Sequence, residues 1–519
     1  MKGTRPKEPP MPRTLPVDGL LIGWSMETRN RSLPIGFLPP RQEGARARTR
    51  QPFLHTGGGH LMTIAPTGAG KGVGCIIPAL LRHPGPVIVI DPKGENHAVT
   101  ARRRRELGQR VVLLDPFNVT GERADAFNPL DLLSQNDPGV VDEAGMLADL
   151  LAPPTISDDP FWNNRARQAI HVLLLTIALQ RPLPLRNLAE LCYLLHQSEN
   201  DLAYTVAELR RSSIDAISAG ASILDRGNAE NVKASYLSIA QDHVAIFGSS
   251  AVNRATAMST FDVHGITRGD PLSLYIVLPP DKLTSHRHLL RIWIGALFGL
   301  ILRRRKRVNP PTLFLLDEAA QLGPLPQLRQ ALTLLRGYGL QTWSFWQDLS
   351  QLQRLYPHDW STMYNNCSVH QVFGITTMRL ARSIAALNRT HAAQALLELE
   401  HDEMELSLAG SRPLIATRPS YLADPCFADQ YDRNPMFGEA TPPPPDHPPR
   451  IYDARSLQLQ PSQEQWSREI EAHWQLGEID SLEPETRQRL APEYWLHEDT
   501  DGHVDIIERT SGGDGKPSP

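Results

Sequence analysis

Leu61–Leu81 reads LMTIAPTGAGKGVGCIIPALL. Leu61–Ala65 is an apolar run of strand length, and Pro66–Gly72 packs three glycines and a lysine into seven residues. From Val73 the chain is apolar again and predicts a helix, with Pro78 an awkward interior residue. Strand, glycine-rich turn, lysine and helix in that order describe a phosphate-binding loop. Glycines let the N–H groups of Gly68–Gly72 curl around an anion without Cβ interference. The start of the following helix adds unsatisfied donors and a positive dipole end. On this reading Pro66, Thr67, Gly68, Ala69, Gly70, Lys71, Gly72 and Val73 surround a nucleotide's phosphates, and Lys71 reaches the β- and γ-phosphates. Two positions depart from the pattern. Ala65 stands where the opening glycine is expected, and Gly72 where a Ser or Thr hydroxyl would ligate Mg2+. The cation must then lean on Thr67, a water or a distant carboxylate. Taken alone, the loop reads equally well as an ordinary glycine-rich turn.

The surrounding pattern favours the first reading. Pro86–Asp91 (PVIVID) and Val111–Asp115 (VVLLD) are short apolar runs of parallel-strand type, separated by a helical stretch at Ala98–Leu107. Strand, helix, strand repeated from residue 61 predicts an α/β fold with a mostly parallel sheet and right-handed crossovers. Asp91, at a strand end, serves equally as a cation-facing carboxylate and as a turn cap before Pro92. Arg102–Arg105 run round the helix and read mostly as a solvated face. The sheet resumes at Leu272–Leu278, and Thr312–Leu316 (TLFLL) leads into Asp317-Glu318. There Asp317 is placed to hold Mg2+ and Glu318 to polarise the water that attacks a γ-phosphate. The next strand, Gln341–Trp346, closes on Gln347, which is placed to sense that phosphate. The loop near residue 70 and the acids near 317 are expected to meet from adjoining strands.

Composition bounds the rest. The 519 residues are 41% hydrophobic and 21% charged with net charge −4, which excludes a chain-wide basic signature of nucleic-acid binding. Cys75, Cys192, Cys367 and Cys426 lack metal-ligand spacing and read as thiols in a reducing compartment. No run reaches the 18 or so apolar residues of a membrane span, and the N-terminus lacks a signal-peptide core. A cytoplasmic protein, peripheral to a membrane through partners, is expected. Residues 1–50 carry ten Lys/Arg against four Asp/Glu and read as a loosely docked basic arm. Residues 51–130 and 266–435 read as one nucleotide-binding domain, and 131–265 as an inserted all-α domain. Residues 436–519 read as a polyproline linker (Thr441–Pro449) and an acidic tail with one or two short helices. From Thr441 onward sixteen acids face seven bases.

Six segments in order, PTGAGKGVGCIIPALL, VIVIDPKGEN, FNPL, FWNNRARQAI, LFLLDEAAQLGPLPQL and WQDLSQL, resemble the type IV coupling proteins, the TraG-type ATPases of conjugation and type IV secretion. The resemblance spans about Leu61–Phe373. It implies a RecA-like P-loop domain with an all-α insertion, ATP and Mg2+ as cofactors, and a homo-hexameric ring around a DNA channel. It further implies Lys71 as the loop lysine, Asp317 and Glu318 as metal and catalytic acids, and Gln347 as sensor. Arg336, in LLRGYGL, matches the arginine that reaches a neighbouring subunit's nucleotide. GKG in place of GKS or GKT occurs within this family. Its members usually begin with transmembrane helices, and none is legible here, which puts autonomous anchoring at the inner membrane's cytoplasmic face in doubt. The function implied is delivery of single-stranded DNA, or a relaxase–DNA complex, to a type IV secretion channel. Delivery of protein effectors and a nucleotide-gated, non-hydrolysing adaptor stay open beside it.

Overall fold

In the computed structural model the described residues are 11–16, 19–26, 50–134, 137–153, 160–225, 230–388 and 393–437, with two strands at 494–498 and 504–508. Most of the basic arm, the polyproline linker and most of the acidic tail lie outside them. The described part of the tail is a hairpin, Tyr494–Glu498 against Val504–Glu508, where short helices were expected.

One eleven-stranded sheet organises the chain. Its strands are β1 (Leu20–Ser25), β2 (Pro52–His55), β3 (His60–Ile64), β4 (Val87–Ile90), β5 (Arg110–Leu114), β6 (Leu272–Ile276), β7 (Thr312–Leu316), β8 (Leu340–Trp346), β9 (Cys367–Val372), β10 (Glu403–Leu408) and β11 (Leu414–Thr417). The spatial order is β2-β1-β11-β10-β9-β3-β8-β7-β4-β6-β5. From β9 to β5 every pair is parallel, and from β9 to β2 every pair is antiparallel. The α/β class with a mostly parallel sheet is thus present, joined to an antiparallel extension that the sequence reading lacked.

Alternation along the strands splits the core between two faces. In β4, Ile88 and Ile90 face one apolar cluster and Val87 and Val89 the other. The first cluster runs on into the helices between β5 and β6, where Leu147 and Leu150 of helix Val140–Leu151 join Trp293 and Leu297 of helix Arg287–Leu302. A Cβ on Gly295 would sit 2.3 Å from Leu150 Cδ1, so the two helices approach as closely as glycine permits. Two of the recognised motifs serve this junction. Asn128 caps the turn after Pro129, and its Nδ2 donates to Arg186 O at 2.6 Å; Asn163 Nδ2 donates to Pro153 O at 2.6 Å. Among the described residues no helix is long and apolar enough to cross a membrane, and the four cysteines are free.

Two expectations need correction. Leu20–Ser25, inside the stretch read as a loose arm, is a strand buried by pairing with β2 and β11; its partners lie far off in sequence, so its flanking prolines and arginines dominated the reading. Arg104 is no solvated cation either. It is fully buried, its Nε donates to Ser273 Oγ at 2.8 Å, and its guanidinium also serves the carbonyls of Leu80, His83 and Gly85. Four consecutive residues on a helix span all its faces, so one of the four arginines had to point inward. Arg104→Ala leaves three buried carbonyls without that donor and is expected to cost about 3 kcal/mol or more of unfolding free energy, read from urea denaturation curves.

Candidate functional site

Because β3, β8, β7 and β4 are parallel and in register, their carboxyl ends fall along one edge. Ile64 pairs with Trp346, Ser344 with Leu316 and Leu316 with Ile90. The chain leaves β3 through Ala65, whose N–H donates to Trp346 O at 2.9 Å. It then turns through Pro66–Gly70, with Gly68 and Gly70 at φ +80° and +87°, a region that glycine enters without strain. Lys71 opens a helix whose first turn, Gly72–Ile76, is π-type and passes into α at Ile77–Arg82. Pro78 falls at the second position of that α segment, where a missing N–H costs little.

Lys71 is 8% exposed. Its Nζ lies 3.3 Å from Ala65 O and 3.8 Å from Glu318 Oε1. Gln347 Nε2 donates to the other Glu318 oxygen at 3.1 Å. Three of the predicted site residues therefore touch: lysine, glutamate and glutamine converge at the ends of β3, β7 and β8. Strands β3 and β7 are not adjoining, however. β8 runs between them, and Gln347 at its end reaches Glu318. Asp317 stands beside Glu318 at the β7 end. Burial first, and the Glu318 charge second, push its carboxyl up to about 6, with Lys71 opposing.

Asp91 is buried and accepts from the His97 N–H at 2.8 Å and from Asn96 Nδ2 at 3.2 Å. It thus ties down the first turn of helix Glu95–Glu106, the capping role among its two readings, while burial raises it to about 7. Thr67 is exposed at the loop tip. Gly72 is open: a Cβ there would meet nothing within 4 Å. Among the described residues no three His, Cys, Asp or Glu side chains gather into a metal cage. The donors that are present, the carboxylates of Asp317 and Glu318, are hard oxygens, and a cation would relieve the raised pKa of Asp317. That set fits Mg2+, which takes one or two carboxylates and completes its shell with phosphates and water.

Arg336 does not join this group. It is exposed in the turn Leu335–Tyr338 ahead of β8, at the opposite edge of the sheet. There it adds its charge to the burial that lowers His60, at the start of β3, to about 4. Two contributors escaped the sequence reading. Gln371 of β9 is buried; its Oε1 accepts from Thr63 Oγ1 at 2.9 Å and Cys75 Sγ at 3.4 Å, and its Nε2 donates to Ile22 O at 2.8 Å. Arg418, just after β11, donates through Nη1 to Ala69 O inside the loop. Neither sits in a local pattern; each acts across hundreds of residues.

Residues 27–384 match the family described as "Type IV secretory system Conjugative DNA transfer". The chain belongs to that family. It is 27% identical over 362 residues to the conjugal transfer protein TraG of Escherichia coli, covering 65% of this chain and 56% of the relative. With protein VirD4 of Agrobacterium fabrum it shares 28% over 302 residues, covering 57% and 44%. This family member thus spans about half the length of the curated relatives it matches. Its fold resembles the bacterial conjugative coupling protein TrwBdeltaN70, with a TM-score of 0.54 at 18% identity over 71% of this chain and 86% of that one. It also resembles the plasmid coupling protein TrwB in complex with ADP and Mg2+, with a TM-score of 0.52 at 19% identity over 70% and 85%.

Asp317→Asn gives a pH-dependent test of this electrostatic picture. The folded-state pKa of Asp317 is raised, so the stability its charge costs the chelator-treated protein accumulates as pH rises from the ordinary value of 3.8 to about 6 and is fully present above that. The neutral isostere should melt higher than wild type at pH 8. The gain should shrink through pH 6 and vanish below pH 4, where both side chains are uncharged.

Proposed function

We propose that this chain is an ATP-hydrolysing coupling protein that delivers single-stranded DNA, with the relaxase bound to it, to a type IV secretion channel. The observation that carries this reading is the meeting of Lys71, Glu318 and Gln347 on the loop edge of the sheet. Membership in the conjugative DNA-transfer family supports the cargo, and the likeness to a coupling protein in complex with ADP and Mg2+ supports the cofactors.

The Lys71 ammonium lies against Ala65 O and the Glu318 carboxylate. A triphosphate in the Pro66–Val73 loop competes for that ammonium with more negative charge, and so frees Glu318. Gln347 keeps hold of one Glu318 oxygen, leaving the other to orient water for attack on the γ-phosphate. Asp317, with Thr67 or water, would hold Mg2+, which would supply charge neutralisation on the phosphates. The phosphate-sensing amide of Gln347 opens the chain segment that follows β8, through which a change at the phosphate can be passed on.

The domain partition (51–130 with 266–435, and an insertion at 131–265) and a hexameric assembly belong to the same reading. Arg336 stands on the edge away from its own Lys71, in a turn whose Tyr338 carbonyl accepts from Arg304, the residue before the exposed cations Arg305, Lys306 and Arg307, with exposed Leu334 and Tyr338 beside it. That placement suits an arginine serving a neighbouring subunit's nucleotide rather than its own. Such an assembly would work at the cytoplasmic face of the inner membrane, held there by channel components.

Lys71→Ala should abolish nucleotide binding. Glu318→Gln should still bind ATP while turnover drops about 10²–10⁴-fold. Undiminished hydrolysis in both variants would reject the site. Wild-type turnover should rise with single-stranded DNA at low salt, where phosphate contacts are strongest; no response to any DNA would move the cargo to protein effectors. Because the space around Gly72 is open, Gly72→Ser should fold normally and lower the Mg2+ concentration needed for half-maximal turnover.

A further inference from the structure

The antiparallel extension ends in a strap that lies along the phosphate loop. Arg418 donates its backbone N–H to Asp402 O at 2.7 Å. Its guanidinium carbon sits 4.4 Å from the centre of the Phe373 ring, Nη2 donates to His401 O, and Nη1 donates to Ala69 O. Pro419 O backs Gly74 so closely that a Cβ there would come within 3.2 Å, and the Tyr421 N–H donates to Val73 O at 3.3 Å. Asp424 Oδ2 anchors the strap by accepting from the Ser420 N–H at 3.0 Å and from Trp24 Nε1 of β1 at 2.7 Å. Contacts at Ala69, Val73 and Gly74 therefore follow the loop into its helix.

In a trans peptide the carbonyl and the next N–H point in opposite directions. Drawing the Ala69 carbonyl to Arg418 turns the Gly70 N–H away from the strap. Gly70 is held at φ +87°, and a Cβ on it would lie 3.1 Å from Arg418 Nη1, so the guanidinium backs the loop at that residue. Arg418 is buried, and its Nε–H lacks a partner among the described residues. An apolar side chain on Phe373 would fill the space without that cost. We propose that Arg418 is a positioning residue for the nucleotide: by pinning the Ala69 carbonyl outward it sets the Gly70 N–H toward the phosphates. The inference rests on the nucleotide-binding reading above, and the residue lies beyond the matched segment 27–384.

The test measures MgATP affinity by calorimetry, and KM and kcat by phosphate release, on the full chain. Arg418→Met keeps the aliphatic packing on Phe373 and removes the donors. It should raise Kd and KM tenfold or more while kcat at saturating ATP stays within about threefold. Arg418→Lys, whose single ammonium can serve Ala69 O or His401 O but not both, should fall between Met and wild type, at least threefold weaker than the latter. If the Met variant does not fold, the Lys variant decides alone. A folded Arg418→Met or Arg418→Lys with the wild-type Kd overturns the proposal, even if its melting temperature is lowered. A wild-type chain that binds no nucleotide overturns it together with the nucleotide-binding reading. Wild-type binding that Lys71→Ala abolishes and Arg418→Met leaves intact overturns this inference alone.

Discussion

The approach of the Lys71 ammonium to the Glu318 carboxylate, across the end of β8, is the constraint on which the site depends. It requires β3, β8 and β7 to be parallel and in register, because a one-residue slip in β7 or β8 would turn Glu318 or Gln347 to the other face. It also requires the loop to fold back over the sheet edge, which positive φ at Gly68 and Gly70 permits. The pair is partly withdrawn from water, where a charge contact is stronger than on an open surface. Glu318 thereby gains a counter-charge and an amide, while Asp317 beside it bears the unrelieved part of the acidic cluster. The loop edge is thus balanced at the glutamate and unbalanced at the aspartate.

Much of this was legible in the chain because parallel strands buried on both faces are short runs of β-branched and aliphatic residues that end abruptly in polar ones. VIVI, TLFLL and the LMTI run each announce a strand, and the residue after each strand end is placed by the strand's own geometry. The order of strands was not legible. Nothing in residues 61–65 or 312–316 says that 340–346 inserts between them, so the lysine and the acids were expected on neighbours and are found one strand apart. Nor was β10. Its six residues, EMELSL, alternate like a strand with one solvated face, yet Glu405 on that polar face is fully buried and accepts from Asn388 Nδ2 at 2.6 Å. A buried carboxylate with a distant partner looks in sequence like a solvated one. Arg104 was hidden the same way, since composition treats four adjacent arginines alike and the fold uses one as a buried tie.

The antiparallel extension explains why such distant residues matter. A parallel sheet ending at β9 would expose a row of unpaired backbone groups beside the loop strand. Strands β10, β11, β1 and β2 carry that pairing outward, and Gln371 welds the junction by bonding Thr63 of β3, Cys75 of the loop helix and Ile22 of β1 at once. A phosphate-binding loop gains affinity when its amides already face the anion, because the ordering cost is met before the ligand arrives. The glycines that make the curl possible also make the loop soft. Rigidity therefore has to come from outside it, and here it comes from both sides: Trp346 O on Ala65 from within the parallel sheet, and the Arg418–Tyr421 strap from the antiparallel one.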